Sequence, residues 1–204
     1  MPERSDTMVL VDRAVQGDEQ AFTKLVQSWY QRIFNFNYKY FFDYDLAMEV
    51  TQKTFIAAYS NIGKLKNTNS FSGWLYAIAV NYCREEDRRH HKKWSVSFNS
   101  LKKKETDFES PGLHSHHENT YDPEVCFQKE ELSTILMKAL AQIPAEQKVV
   151  LIMKEYEGLK FREIADALRI SENTAKSRLY YGLKALKKIL DQWKINKEEI
   201  YYGS

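Results

Sequence analysis

The sequence predicts an all-α protein of two small helical domains joined by an extended linker. Three observations predict it. Gly and Pro together make 11 of 204 residues, about half the roughly 12% found on average, and many-stranded folds need both at their turns. Apolar side chains recur at spacings of three and four along most of the chain, the period of an amphipathic helix. Between two such stretches, residues 95–122 are polar, hold Pro111 and Gly112, and carry no apolar period, as a linker does. The expected boundaries are 1–94, 95–122 and 123–204.

In the first block, Gly17-Asp18-Glu19 opens a helix running to Phe42, with Phe22, Leu25, Val26, Trp29, Ile33 and Phe34 on its apolar face. A turn at 43–45 leads into a helix over 46–59, with Val50, Phe55, Ile56 and Tyr59 facing in and Glu49, Gln52 and Lys53 elsewhere. Gly63 ends it, and residues 64–69 form a polar loop. A third helix over 71–89 buries Phe71, Trp74, Leu75, Ile78, Ala79 and Tyr82. Trp74, Tyr76 and Tyr82 also lie near arginines, a mixture suited to stacking and pairing with single-stranded nucleic acid.

The second block reads more specifically. A helix over 130–142 buries Leu132, Ile135, Leu136, Ala139 and Leu140. Pro144 suits a first helical position, and the helix continues to Glu157 with Val149, Val150, Ile152 and Met153 inside, until Gly158 caps it. A short helix over 161–168 buries Ile164, Ala165 and Leu168. Arg169-Ile170-Ser171 turns the chain, and Ser171 caps a long helix with Ala175, Leu179, Leu183, Leu186 and Leu190 inward. Two helices on a tight turn, with small Ala165 where they cross, make a helix-turn-helix. Its second helix would present Glu172, Asn173, Thr174, Lys176, Ser177 and Arg178 to a DNA groove.

Charge agrees with this reading. The net charge is +2, from 30 basic and 28 acidic residues. The stretch 171–194 holds six basic residues against Glu172 and Asp191, and Arg84, Arg88, Arg89, Lys92 and Lys93 form a second cluster. Each could equally be a solvated helix face. No run of about 18 apolar residues suggests a membrane span, and the first residues lack a signal peptide's apolar core. Two distant cysteines, Cys83 and Cys126, fit a reducing cytoplasm and no disulfide scaffold. His114, His116, His117 and Cys126 are too cramped for a standard zinc site, so no metal or other cofactor is expected. No nucleophile motif, acid–base pair or phosphate-cradling loop points to an enzyme.

Five strings in order resemble the extracytoplasmic-function group of sigma-70 factors. Glu49-Val50-Thr51-Gln52-Lys53-Thr54-Phe55 is similar to region 2.2, and the run from Phe71 through Trp74-Leu75 to Ile78-Ala79 and Asn81 to the signature that follows it. Residues 140–147 resemble the opening of region 4, and residues 156–165 with 174–179 its helix-turn-helix. The resemblance implies a protein that binds core RNA polymerase at its clamp and flap, carries it to a promoter and helps open the duplex. It assigns polymerase docking to Glu49, Gln52 and Lys53. It assigns capture of a flipped −10 base to the loop holding Lys64, Lys66, Asn67 and Asn69, a step costing a few kcal/mol of unstacking. Trp74, Asn81, Arg84, Arg88 and Arg89 would line the −10 strand, and Ser171, Asn173, Thr174, Lys176, Ser177, Arg178, Tyr181 and Lys184 the −35 duplex. The acidic linker would thread toward the polymerase's active-site channel. An anti-sigma partner and a cytoplasmic, nucleoid-associated location are implied as well.

The departures from the family pattern carry their own expectation. Tyr181-Gly182-Leu183 stands where two arginines are usual, Arg169 and Asn173 replace glycines, and Lys53 replaces an acid. Two lost phosphate contacts would weaken −35 binding and flatten its salt dependence. Promoter choice would then rest on the −10 element, or on recruitment by a separate DNA-bound factor. The competing reading is a helix-turn-helix regulator that never docks on polymerase.

Overall fold

A computed structural model describes residues 4–98 and 123–193, with side chains over 6–89 and 132–193. Helix α1 (Arg4–Val15) turns at Gly17, whose φ of +93° requires a residue without Cβ. Asp18 caps α2 (Glu19–Phe41): its carboxylate accepts the Ala21 N–H at 3.0 Å and pairs with Arg13. The Ala21 bond first, then Arg13, holds that carboxyl below its usual range. Phe42 ends α2 in the left-handed region, and Asp43 caps α3 (Tyr44–Asn61) through the Leu46 N–H. Two short 3₁₀ turns, Ile62–Lys64 and Thr68–Ser70, shape the segment expected as a polar loop. Helix α4 (Phe71–Phe98) outruns its expected end at residue 89 and takes in the start of the expected linker.

After residues 99–122, α5 (Pro123–Ala141) begins seven residues ahead of its expected start. Pro144 is the N-cap of α6 (Ala145–Leu151), one position before the expected one, and the helix widens into a π turn over Ile152–Tyr156. Gly158, at φ +67°, releases the chain into α7 (Phe161–Leu168), where the Glu163 carboxylate accepts the Lys160 N–H at 2.8 Å. Arg169 ends α7 at φ +54°. The turn thus keeps the left-handed backbone glycine adopts freely, at a cost of about 1 kcal/mol to an L-residue. Ser171 accepts the Thr174 N–H at 3.0 Å and starts α8 (Glu172–Gln192).

Packing departs from the expected in-and-out pattern at four places. Ile56 is 68% exposed and Tyr59 52%, where both were expected inside. Leu183 is also exposed. The face of α8 laid on α6 is instead completed by buried Gly182, where a Cβ would sit 3.4 Å from that of Gln147. Tyr76 is fully buried, edge-on to Trp29 and Phe36, and so unavailable for stacking on a base. Leu25, Ile33, Phe36, Val50, Leu75 and Ala79 form the centre of the first block as a three-helix bundle.

Asn37, Thr51 and Thr54 place polar groups inside that bundle. Asn37 on α2 donates to Thr51 Oγ1 on α3 at 2.9 Å and faces Cys83 on α4, whose thiol burial pushes well above its ordinary pKa. These contacts fix the register of three helices, since sliding any of them leaves a polar atom unpaired. Asn37→Ala should therefore cost about 1–3 kcal/mol by denaturant titration, with the midpoint falling and the slope unchanged.

The two blocks do not stand apart. Val149, Val150, Ile152, Met153, Ile164 and Leu168 join the buried side chains of the first block in one continuous core. Helix α7 lies on the start of α4, and the π turn and α5 lie on α2. A smaller cluster of Leu140, Ile143 and Leu151 holds α5, α6 and α8 together.

Candidate nucleic-acid interface

Three surfaces collect the residues the sequence singled out. The first is the outer face of α3, which packs on α2 and α4 and turns Glu49 and Gln52 to solvent. Lys53 does not stand free there. Its ammonium lies 2.6 Å from Glu49 and 2.8 Å from Glu86 on α4, bridging the two helices. Ile56 and Tyr59 share this face, and sequence reasoning placed them inside. The signal was present, because 49, 52, 56 and 59 are spaced three, four and three and so must face one way.

Glu86 is nearly inaccessible, yet it stays ionised more readily than usual. Burial pushes its pKa up, but hydrogen bonds from Lys53 and Arg89 outweigh burial and hold it below the ordinary carboxylate value. A depressed pKa stabilises the fold at pH above the unfolded value, about 4.3. That contribution is lost as pH falls through the folded value. Acid titration should therefore cost the wild type more stability below about pH 4 than it costs Glu86→Gln, which starts weaker at neutral pH and has no charge left there to lose.

The second surface is the 64–69 segment with α4. Lys64, Lys66, Asn67 and Asn69 are exposed. Asn67 builds the turn, accepting the Asn69 N–H on its side chain and the Ser70 N–H on its carbonyl. Trp74 is half-buried, tilted against Phe71 at 5.9 Å. Asn81 and Arg88 face solvent, while Arg89 is held by Glu86. Arg84 points across to the second block and reaches Glu146 at 3.0 and 3.1 Å.

The third surface is the solvent face of α8. Asn173, Thr174, Lys176, Ser177 and Lys184 are exposed along it, and Ser171 and Thr174 bond one another at the cap. Arg178 turns away and pairs with Glu146 at 2.6 Å. Tyr180 and Tyr181, 64% and 56% exposed, meet edge to face at 5.5 Å and occupy the outer face instead of cations. Arg84 of the second surface and Arg178 of the third converge on one carboxylate, that of Glu146.

Residues to which the sequence assigns no role of their own hold this junction. Lys148 is buried, donates to the Tyr40 carbonyl at 2.9 Å and lies 4.4 Å from the centre of the Tyr40 ring. Burial pulls its pKa down, opposed by Asp87. Glu157 accepts the buried Tyr76 hydroxyl and faces Arg32 at 3.7 Å. Gly73 lies where a Cβ would stand 3.5 Å from the Glu163 carbonyl, so α7 covers the start of α4. His114, His116 and His117 lie outside the described residues, as does the Cys126 side chain. Among the described residues no cluster of three metal-ligating side chains occurs and no helix is long and apolar enough to cross a membrane.

Comparison with known proteins matches this geometry on both halves. The sigma-70 region 2 family covers residues 25–93 and the sigma-70 region 4 family residues 133–186, more than half of the chain between them. The RNA polymerase sigma-H factor of Pseudomonas aeruginosa is 27% identical over 89% of this chain and 92% of its own length. The ECF RNA polymerase sigma-E factor of Escherichia coli K12 is 28% identical over 91% and 95%. Two solved structures share the fold at 18% identity. RpoE of Bartonella quintana in complex with the anti-sigma factor NepR has a TM-score of 0.65, covering 86% of this chain and 98% of that one. CnrH in complex with the cytosolic domain of CnrY has a TM-score of 0.64, covering 92% and 98%. The chain belongs to the sigma-70 family of RNA polymerase sigma factors, in its extracytoplasmic-function group.

Proposed function

We propose that this sigma factor docks on core polymerase through the outer face of α3, reads the −10 element with the 64–69 turns and α4, and reads the −35 element weakly through α8. The observation that carries the docking assignment is the exposure of Ile56 between Gln52 and Tyr59. A large apolar side chain held in water on a helix of charged and polar neighbours suits the centre of a protein interface. Glu49 and Gln52 form its polar rim, and Lys53 sets the position of Glu49. The chain is an initiation factor, not an enzyme, so its readout is transcription by another protein's active site. Run-off transcription with core polymerase on a genomic fragment library tests the proposal, because it needs docking and promoter opening together. No transcript above core alone would overturn it.

Weak −35 reading is supported by what α8 shows outward. Tyr180 and Tyr181 bring rings, without charge, to a face that meets phosphates, leaving Lys176, Lys184, Lys187 and Lys188 to neutralise them. Each lost phosphate contact lowers the salt slope of binding by about 0.9. The −10 element, or recruitment by a separate DNA-bound factor, then supplies the missing selectivity. Tight sequence-specific binding of a −35 duplex by the free protein would contradict this. RpoE of Bartonella quintana is bound to the anti-sigma factor NepR, and a separate protein of that kind covering these same faces is the regulation proposed for this chain.

A further inference from the structure

Helix α4 carries three consecutive acids, Glu85-Glu86-Asp87, within the segment assigned to the −10 strand. Two of them serve the fold. Glu86 is buried and holds Lys53 at 2.8 Å and Arg89 at 2.9 Å, and Asp87 accepts the Tyr40 hydroxyl. Glu85 is exposed and makes no hydrogen bond or ion pair with any described residue. Its place on the helix decides what it meets. Trp74, Ile78, Asn81, Glu85 and Arg88 are spaced four, three, four and three, so they share one face of α4. Trp74 and Ile78 are half-buried there, while Asn81, Glu85 and Arg88 stand in solvent. A bare carboxylate thus lies between Asn81 and Arg88 on a stripe assigned to a polyanion.

We propose that Glu85 is a base-reading residue, which selects a cytosine in the paired DNA beside the opened −10 segment by accepting a hydrogen bond from its N4 amino group. The inference rests on the assignment of α4 to the −10 element. An ionised carboxylate only accepts hydrogen bonds and repels phosphate, so on this face a base edge is the one part of DNA it can serve. Glu85 lies about 20 Å along α4 from the turns assigned to the flipped base, at 1.5 Å per residue, and so reaches bases other than the flipped one. An α-helix reads paired bases from the major groove, where the amino group is cytosine's only polar feature. Adenine's amino group adjoins N7, an acceptor that repels a carboxylate. Arg88, one turn further on, suits the guanine of the same pair. Its Nε donates to the Arg84 carbonyl at 3.3 Å, which steadies the side chain and leaves both Nη nitrogens for O6 and N7. Any other pair leaves the Glu85 carboxylate desolvated without a donor, and that penalty is the source of the selectivity.

Run-off transcription with core polymerase tests this on one active promoter, with each base pair of the −10 element and its flanks substituted in turn. Wild type is compared with Glu85→Ala and with Glu155→Gln, which makes the same change in net charge at an exposed position on the π turn. Wild type should prefer cytosine at one position about five- to tenfold over the other bases. Glu85→Ala should bring that preference within about twofold, by raising transcription from the disfavoured templates, and leave the other positions as they were. Glu155→Gln should keep the full preference. Melting temperature and affinity for core polymerase should match wild type in both variants. Loss of preference for a base other than cytosine overturns the inference. A uniform gain at all positions, matched by Glu155→Gln, overturns it too, by reducing the effect to net charge. Wild-type transcription whose −10 preferences Glu85→Ala leaves intact is the failure of this inference alone. Absence of any wild-type transcript would overturn the sigma reading, and this inference with it.

Discussion

Ile56→Lys should weaken binding to core RNA polymerase at least tenfold, and run-off transcription with it, while leaving the protein as stable as before. The two halves of this expectation rest on one observation. Ile56 is 68% exposed on α3 and contributes little to the fold, and surface substitutions of that kind change stability by about 0.5 kcal/mol or less. Lys is, if anything, the better helix former. At an interface the same side chain would be desolvated. Truncating a central apolar anchor commonly costs 2 kcal/mol or more, roughly thirtyfold in affinity, and a lysine adds the cost of burying an unpaired charge. Equilibrium binding to core polymerase by fluorescence gives the affinity, and thermal denaturation gives the stability. Lys66→Ala, in the segment assigned to DNA, is the comparison that should leave polymerase affinity unchanged. Retained affinity in Ile56→Lys would remove α3's outer face as the docking site.

Ile56 also shows where sequence reading reached and where it stopped. Helix starts were legible because Asp18 and Ser171 carry side chains that satisfy orphan N–H groups. The helix-turn-helix was legible because Ala165 and the cap fix it locally. Ile56 and Tyr59 lie outside because helical phase, not hydrophobicity, sets the face a side chain takes. Their spacing from Glu49 and Gln52 fixes the face they share, whatever their polarity. Leu183 fails for a related reason. The α6–α8 contact is made by Gly182, which a search for large apolar residues passes over. Tyr76 sits one position after Leu75 on the inward side of α4, where its ring fills the core and its hydroxyl finds Glu157. That partner lies 81 residues along the chain. No local pattern announces such a pair, and the same holds for Arg84 with Glu146 and Lys148 with Tyr40. The sequence distinguishes the two helical blocks; it is long-range polar pairing that joins them.

Glu157→Ala should accordingly be the costliest single charge change at the junction, about 3 kcal/mol. In a protein of this length that corresponds to a fall of roughly 6–12 °C in melting temperature. The Glu157 carboxylate is nearly closed to solvent, accepts the hydroxyl of the fully buried Tyr76 and faces the Arg32 guanidinium at 3.7 Å. Removing it strands a buried donor and leaves Arg32 on the Glu157 carbonyl, at 3.4 Å, and over the Trp29 ring, at 4.8 Å. Tyr76→Phe removes the other member of the hydrogen bond and leaves the carboxylate with Arg32, so it should cost only about 1–2 kcal/mol. The pair interacts directly, so the double variant Tyr76→Phe/Glu157→Ala should be more stable than the sum of the two losses predicts. Because Glu157 and Tyr76 come from opposite blocks, the loss should weaken docking between them before it weakens either core. Glu157→Ala should therefore expand the free protein in solution scattering at temperatures where its helical circular dichroism is still intact. A melting temperature within about 2 °C of wild type would mean that the Tyr76–Glu157 bond contributes nothing to holding the two halves together.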